Sequence, residues 1–122
     1  MTRSETEVIM KYLLMICYDE SVRISPADDA FMQRATESWV AEMDGRGVRL
    51  EGHKLRPVTD ATSVRVRDGD VLVTDGPFAE AKEQMAGYDV IECADLDEAI
   101  EVASKHPMAR FGMIEVRPFW EE

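Results

Sequence analysis

The chain has 122 residues, with 25 acidic against 14 basic side chains, a net charge of −11, 45% hydrophobic and 32% charged residues. This is one domain of ordinary globular composition, able to build a core without disulfide or metal staples. The acidic balance argues against a general nucleic-acid partner, because phosphate contacts need a basic surface, and the longest apolar run, Tyr12–Tyr18, is far short of the roughly 20 residues of a membrane-spanning helix.

Taken in chain order, residues 1–9 are mostly polar and read as a flexible extension. No basic-then-apolar leader opens the chain, so the expected compartment is the cytoplasm. Lys11–Tyr18 is nearly continuously apolar, the pattern of a central strand covered on both faces. Ser25-Pro26-Ala27-Asp28 is a helix start: Ser25 caps, Pro26 brings a preset φ, and Asp28 and Asp29 meet the positive end of the dipole. Ala27, Phe31, Ala35, Trp39 and Met43 recur every fourth residue and predict one buried stripe, stopped by Gly45 and Gly47.

Val48–Leu55 is a second strand, with Gly52 at a bulge or bend. Val64 and Val66 alternate with Arg65 and Arg67, Asp68-Gly69 turns the chain, and Val71-Leu72-Val73 returns; both turn residues tolerate the positive φ of a hairpin turn. Asp75-Gly76-Pro77-Phe78 breaks the strand, and residues 79–83 read as a short helical turn or ordered loop. Tyr88–Cys93 is another strand. Asp95-Leu96-Asp97-Glu98 is a capping box opening a second helix that buries Leu96, Ala99, Ile100 and Ala103. Lys105 and His106 sit at the negative helix end, Pro107 blocks further helix, and Phe111–Phe119 is the last strand.

The order β-α-β-(hairpin)-β-α-β is an α+β, ferredoxin-like arrangement, an antiparallel sheet with two helices on one face. The uncovered sheet face, the Trp39 helix and eight methionines predict a homodimer that joins two sheets. The alternative is a monomer whose hairpin folds over the sheet.

Met10–Ile16, Arg65–Gly69, the block Val73-Thr74-Asp75-Gly76-Pro77-Phe78-Ala79-Glu80-Ala81-Lys82-Glu83-Gln84, Gly87-Tyr88, Asp95–Ala99 and Val116-Arg117-Pro118 together resemble the YCII-related proteins, in particular the subgroup named for its Asp-Gly-Pro-Phe motif. The resemblance covers residues 10–119, leaving 1–9 as an extension and 120–122 as a tail. It implies a ferredoxin-like chain that dimerises into an α+β barrel. It brings no established reaction; some members are encoded beside or fused to extracytoplasmic-function sigma factors, which hints at stress-linked regulation. Better-studied members outside the subgroup carry a His in the first helix and an Asp before a late Pro as an acid/base pair. Here the first helix holds no His and the late residue before proline is His106, so that pair is not carried over.

Asp75 is the first candidate site residue. It ends an apolar strand beside Gly76-Pro77, at a sheet edge or barrel mouth where a carboxylate can act as general base or bind an amine or hydroxyl. The competing reading is a turn cap that accepts backbone N–H bonds. His53 is its candidate partner, since imidazole titrates near neutral pH; the competing reading is an exposed strand-end His. An enzyme would bring Asp75 together with His53, Tyr88 or an arginine in a cleft.

Charge is unevenly spread: residues 46–67 hold six basic against two acidic side chains, and residues 75–104 nine acidic against one basic. Arg65 and Arg67, with Tyr88, are therefore candidate contacts for a small anionic metabolite, or else the solvated face of the hairpin. Cys17 and Cys93 form no Cys-x-x-Cys and read as reduced, buried hydrophobes. With two histidines at no metal spacing, no nucleophile triad, no phosphate-cradling loop and no dinucleotide fingerprint, neither metal nor cofactor is expected. Two functions stay open: a homodimeric small-molecule-binding protein working as a cofactor-free acid/base enzyme near Asp75, and a non-catalytic regulatory or protein-binding module.

Overall fold

The computed structural model describes residues 9–77 and 82–120. Strand β1 (Met10–Tyr18) leads into helix α1 (Pro26–Gly45), where Ser25 Oγ accepts the Asp28 N–H at 3.1 Å as the sequence predicts. Then come β2 (Arg49–Lys54), a single 3-10 turn (Val58–Asp60), the hairpin β3 (Thr62–Arg67) and β4 (Asp70–Asp75), and β5 (Gln84–Cys93). Helix α2 (Leu96–Ser104), a one-turn helix α3 (Met108–Phe111) and β6 (Met113–Pro118) complete the chain. The main sheet runs β2-β5-β1-β6 with every neighbour antiparallel, an α+β order compatible with the ferredoxin-like fold.

The capping box closes reciprocally. Asp95 Oδ1 accepts the Glu98 N–H at 2.9 Å, and Glu98 Oε1 accepts the Ala94 N–H at 2.6 Å. At the hairpin tip Asp68 and Gly69 take φ of 51° and 82°, the positive values the Asp-Gly pair predicts.

One face of the sheet carries the core. Tyr12, Leu14, Ile91 and Cys93 pack with Trp39 and Met43 of α1 and with Ala99, Val102 and Ala103 of α2. The Trp39 indole N–H donates to Val102 O at 3.0 Å and ties the helices together. Arg46 strengthens that seam, its guanidinium reaching Glu101 at 2.7 Å and Glu98 at 3.8 Å. The basic segment after α1 is thus partly neutralised by the acids of α2.

Several expectations are corrected. β1 is not covered on both faces: Leu14 and Ile16 are buried, while Leu13 and Met15 on the opposite face are half-buried. Phe31 is not core but 61% exposed. A four-residue spacing advances about 40° per step round a 3.6-residue helix, so a stripe running from Ala27 to Met43 winds off the sheet, and only its Trp39–Met43 end is buried. Leu96 and Ile100 are half exposed, because α2 approaches the sheet through Ala99, Val102 and Ala103. α2 ends at Ser104, ahead of Pro107 as expected, but Pro107 in the αR conformation also caps the one-turn α3, which gives three helices among the described residues rather than two.

The hairpin β3–β4 is a separate two-stranded sheet and packs extensively on no other element among the described residues. It does not fold over the main sheet. Residues 79–81 of the stretch read as a short helical turn or ordered loop lie outside the described residues, as does Phe78 of the motif.

Candidate functional site

Between α1 and the β2–β5 side of the sheet lies a cleft of about 520 Å³. Its apolar walls come from Ile16, Ile24, Met32, Val40 and Met108; its polar groups come from α1, from β2 and β5, and from the turn after α2. The sheet pleat decides which side chains enter. Gly87, Asp89, Ile91 and Cys93 alternate onto the helix-facing side of β5, so Asp89 is a carboxylate at a core position.

Three features house it. Gly52 lies opposite Asp89 in the β2–β5 register, and a Cβ on Gly52 would overlap the Asp89 carboxylate. The ladder shifts between Arg49 and Glu51, next to the bend expected at Gly52. Arg49 donates from Nε to Asp89 Oδ1 at 2.8 Å, while its terminal nitrogens reach Asp44 Oδ1 and Gly52 O, each at 3.3 Å. Burial pushes the Asp89 carboxyl above the ordinary aspartate value, against the opposing hydrogen bond and charge of Arg49.

His106 is the second polar group of the cleft, and it corrects the expectation of a cation at the end of α2. It is 4% exposed, and burial lowers its pKa to about 4, so it is neutral at physiological pH. Its Nδ1 accepts the Met108 N–H at 3.0 Å, which assigns the ring proton to Nε2. The ring meets Trp39 edge-on at 4.7 Å between centroids.

Of the residues singled out from sequence, His53 and Tyr88 are brought together: they pair across β2 and β5 with ring centroids 5.7 Å apart, and both border the cleft. Strand alternation turns these two rings toward the opposite sheet face from Gly52 and Asp89, so they meet the cleft along the β2 edge. Asp75, Arg65 and Arg67 lie on the hairpin and are not among the residues that line the cleft. Asp75 is exposed at the last β3–β4 pair, opposite Thr62. Its carboxylate accepts no hydrogen bond among the described residues; the turn is held by Gly76 N–H to Ala61 O at 2.7 Å and by the Ser63 hydroxyl to Gly76 O at 2.8 Å.

Asp89, Arg49 and the buried face of His106 escape sequence reasoning. Parity was the available signal for Asp89, an acid in phase with Ile91 and Cys93. Among the described residues, no group of three or more His, Cys, Asp or Glu side chains is arranged to hold a metal ion, and no helix is long and apolar enough to cross a membrane.

Fold and cleft together define a small α+β domain of ferredoxin-like strand order with a polar-floored cleft between its first helix and its sheet. The chain belongs to the YCII-related family, whose domain is matched over residues 10–122, beginning where β1 begins. It is 38% identical over 122 residues to an uncharacterized protein, R00369, of Rhizobium meliloti (strain 1021), with 85% of this chain and 88% of that one covered.

Proposed function

We propose that this YCII-related chain, a member of the Asp-Gly-Pro-Phe subgroup, is a cytoplasmic small-molecule-binding protein whose ligand occupies the cleft between α1 and the β2–β5 side of the sheet. The observation that carries this reading is a carboxylate and an imidazole, Asp89 and His106, both buried and both bordering a cleft with apolar walls. Such groups are costly to bury without a partner and are the ones that titrate where a ligand's proton has to be held or moved. In this reading the protein is a cofactor-free acid/base catalyst, with Asp89 in the role the sequence suggested for Asp75. The buried thiols of Cys17 and Cys93, which are not joined in a disulfide, accord with a reducing compartment.

The functional unit in this proposal is a homodimer. Cross-strand pairs Val64–Val73 and Val66–Val71 give the hairpin one valine face, each residue 57% to 66% exposed, and an isolated two-stranded hairpin is marginal in water. A second copy is the cover proposed for it. Asp75, Arg65 and Arg67, which do not line the cleft, lie on this hairpin and belong to the dimer surface in this proposal rather than to the ligand site. The valine face also favours the second reading, a non-catalytic module that docks another protein such as an extracytoplasmic-function sigma factor.

Amide chemical-shift mapping during a screen of small fragments tests the proposal. Binders should cluster on Gly52, Asp89 and Met108; binders that collect on the hairpin instead would favour the docking module.

A further inference from the structure

Among the described residues only two polar or charged side chains are sealed into the body of the protein, Asp89 at 6% exposure and His106 at 4%, and both border the cleft. Each is half satisfied. Asp89 Oδ1 takes the Arg49 Nε–H, while Oδ2 has no hydrogen-bond partner among the described residues. His106 Nδ1 takes the Met108 N–H, while Nε2 has none. No side-chain nitrogen or oxygen there is both sealed from solvent and unbonded, so these two free atoms keep an accessible path, and the cleft is the space both residues share.

The two free atoms have opposite polarity. Oδ2 is an acceptor, and Nε2, which carries the ring proton, is a donor. Positive charge on the cleft floor is already committed, because all three Arg49 nitrogens are engaged by Asp89, Asp44 and Gly52. Asp29 and Glu37 add negative charge to the α1 wall, and the remaining cation of the lining, Lys54, is exposed at the β2 edge. An anion entering this floor meets carboxylates without a free guanidinium.

We propose that the cleft selects an uncharged, largely apolar small molecule with a hydroxyl or N–H group, donated to Asp89 Oδ2, and a carbonyl oxygen that accepts from His106 Nε2–H. This rests on reading the cleft as the ligand site and adds the polarity of the ligand. Gly52 is the enabling residue, since any side chain there displaces the acceptor.

Three probes separate the assignments by NMR titration: para-ethylphenol, which offers a hydroxyl donor; acetophenone, which offers only a carbonyl acceptor; and para-ethylbenzoate, an anion. In the native protein para-ethylphenol should shift the Asp89 13Cγ resonance and acetophenone the His106 15Nε2 resonance, with para-ethylbenzoate the weakest binder. Asp89→Asn should weaken para-ethylphenol about tenfold, the loss expected for a hydrogen bond to a charged group, and leave acetophenone unchanged. His106→Phe should do the reverse. Equal losses for both probes in both variants, or tightest binding by para-ethylbenzoate, would overturn the assignment while leaving the cleft a ligand site. If no probe moves the cleft amides, both readings fall. Should Asp89→Asn not fold, the native side-chain resonances decide: para-ethylphenol bound in the cleft with Asp89 13Cγ unmoved overturns the proposal.

Discussion

Acidification probes the housing of His106 directly. In the folded protein burial holds its pKa at about 4, against 6.5 for an unhindered imidazole. Between those values the unfolded chain binds a proton that the folded chain refuses. The contribution of His106 is therefore fully present above pH 6.5 and is lost as pH falls toward 4. At about 1.4 kcal/mol for each pH unit of that gap, the loss amounts to about 3 kcal/mol. Asp89 acts in the opposite sense, because its raised pKa lets the folded state take up a proton first and gain stability on acidification. The His106 contribution is thus read from the difference between the native protein and His106→Phe, which keeps a ring against Trp39 but does not titrate. Urea midpoints followed from pH 7 to pH 4 should fall more steeply for the native protein than for the variant. Parallel curves, or an NMR titration of His106 centred near 6.5, would show that burial does not hold this ring neutral.

The other predictions concern single contacts. Gly52→Ala brings a Cβ into the Asp89 carboxylate and to 2.8 Å from Arg49; losing that buried pair should cost about 3 kcal/mol by urea unfolding, whereas a loss under about 1 kcal/mol would mean the carboxylate moves aside freely. Trp39→Phe removes the indole bond to Val102 O and should cost about 1 to 2 kcal/mol in the same assay, with no loss if that bond contributes nothing. Asp75→Asn should leave the melting temperature unchanged, because its carboxylate holds no backbone group among the described residues; a clear drop would restore the turn-cap reading. Val66→Glu with Val73→Glu should halve the mass seen by light scattering toward 13.8 kDa without unfolding the monomer, and a native protein already at that mass would contradict the dimer.

Local chemistry made much of this fold legible. Ser25-Pro26, Asp68-Gly69 and Asp95-x-x-Glu98 act through their own backbone neighbours, and each forms the cap or turn that its residues predict. Facing was harder to read. Phe31, Leu96 and Ile100 are apolar residues at nearly helical spacing, and only the docking angle of each helix decides which of them reaches the sheet. The site was less legible than the fold because it depends on pairings between distant segments. Asp89 meets Arg49 and Gly52 only through the β2–β5 register, and His106 becomes a neutral cleft donor only because Trp39 and Met108 close around it. Asp75 stands out in the sequence through its neighbours Gly76 and Pro77, yet those neighbours govern a turn and say nothing about what faces the cleft.

The proposed ligand site is the cleft between α1 and the β2–β5 side of the sheet. A high-resolution crystal structure of protein purified without added ligand tests it most directly. Electron density of a small molecule should stand in that cleft, within hydrogen-bond reach of Asp89 Oδ2 and His106 Nε2. Density lodged at Asp75 on the hairpin instead, with the cleft closed by its own side chains, would contradict it.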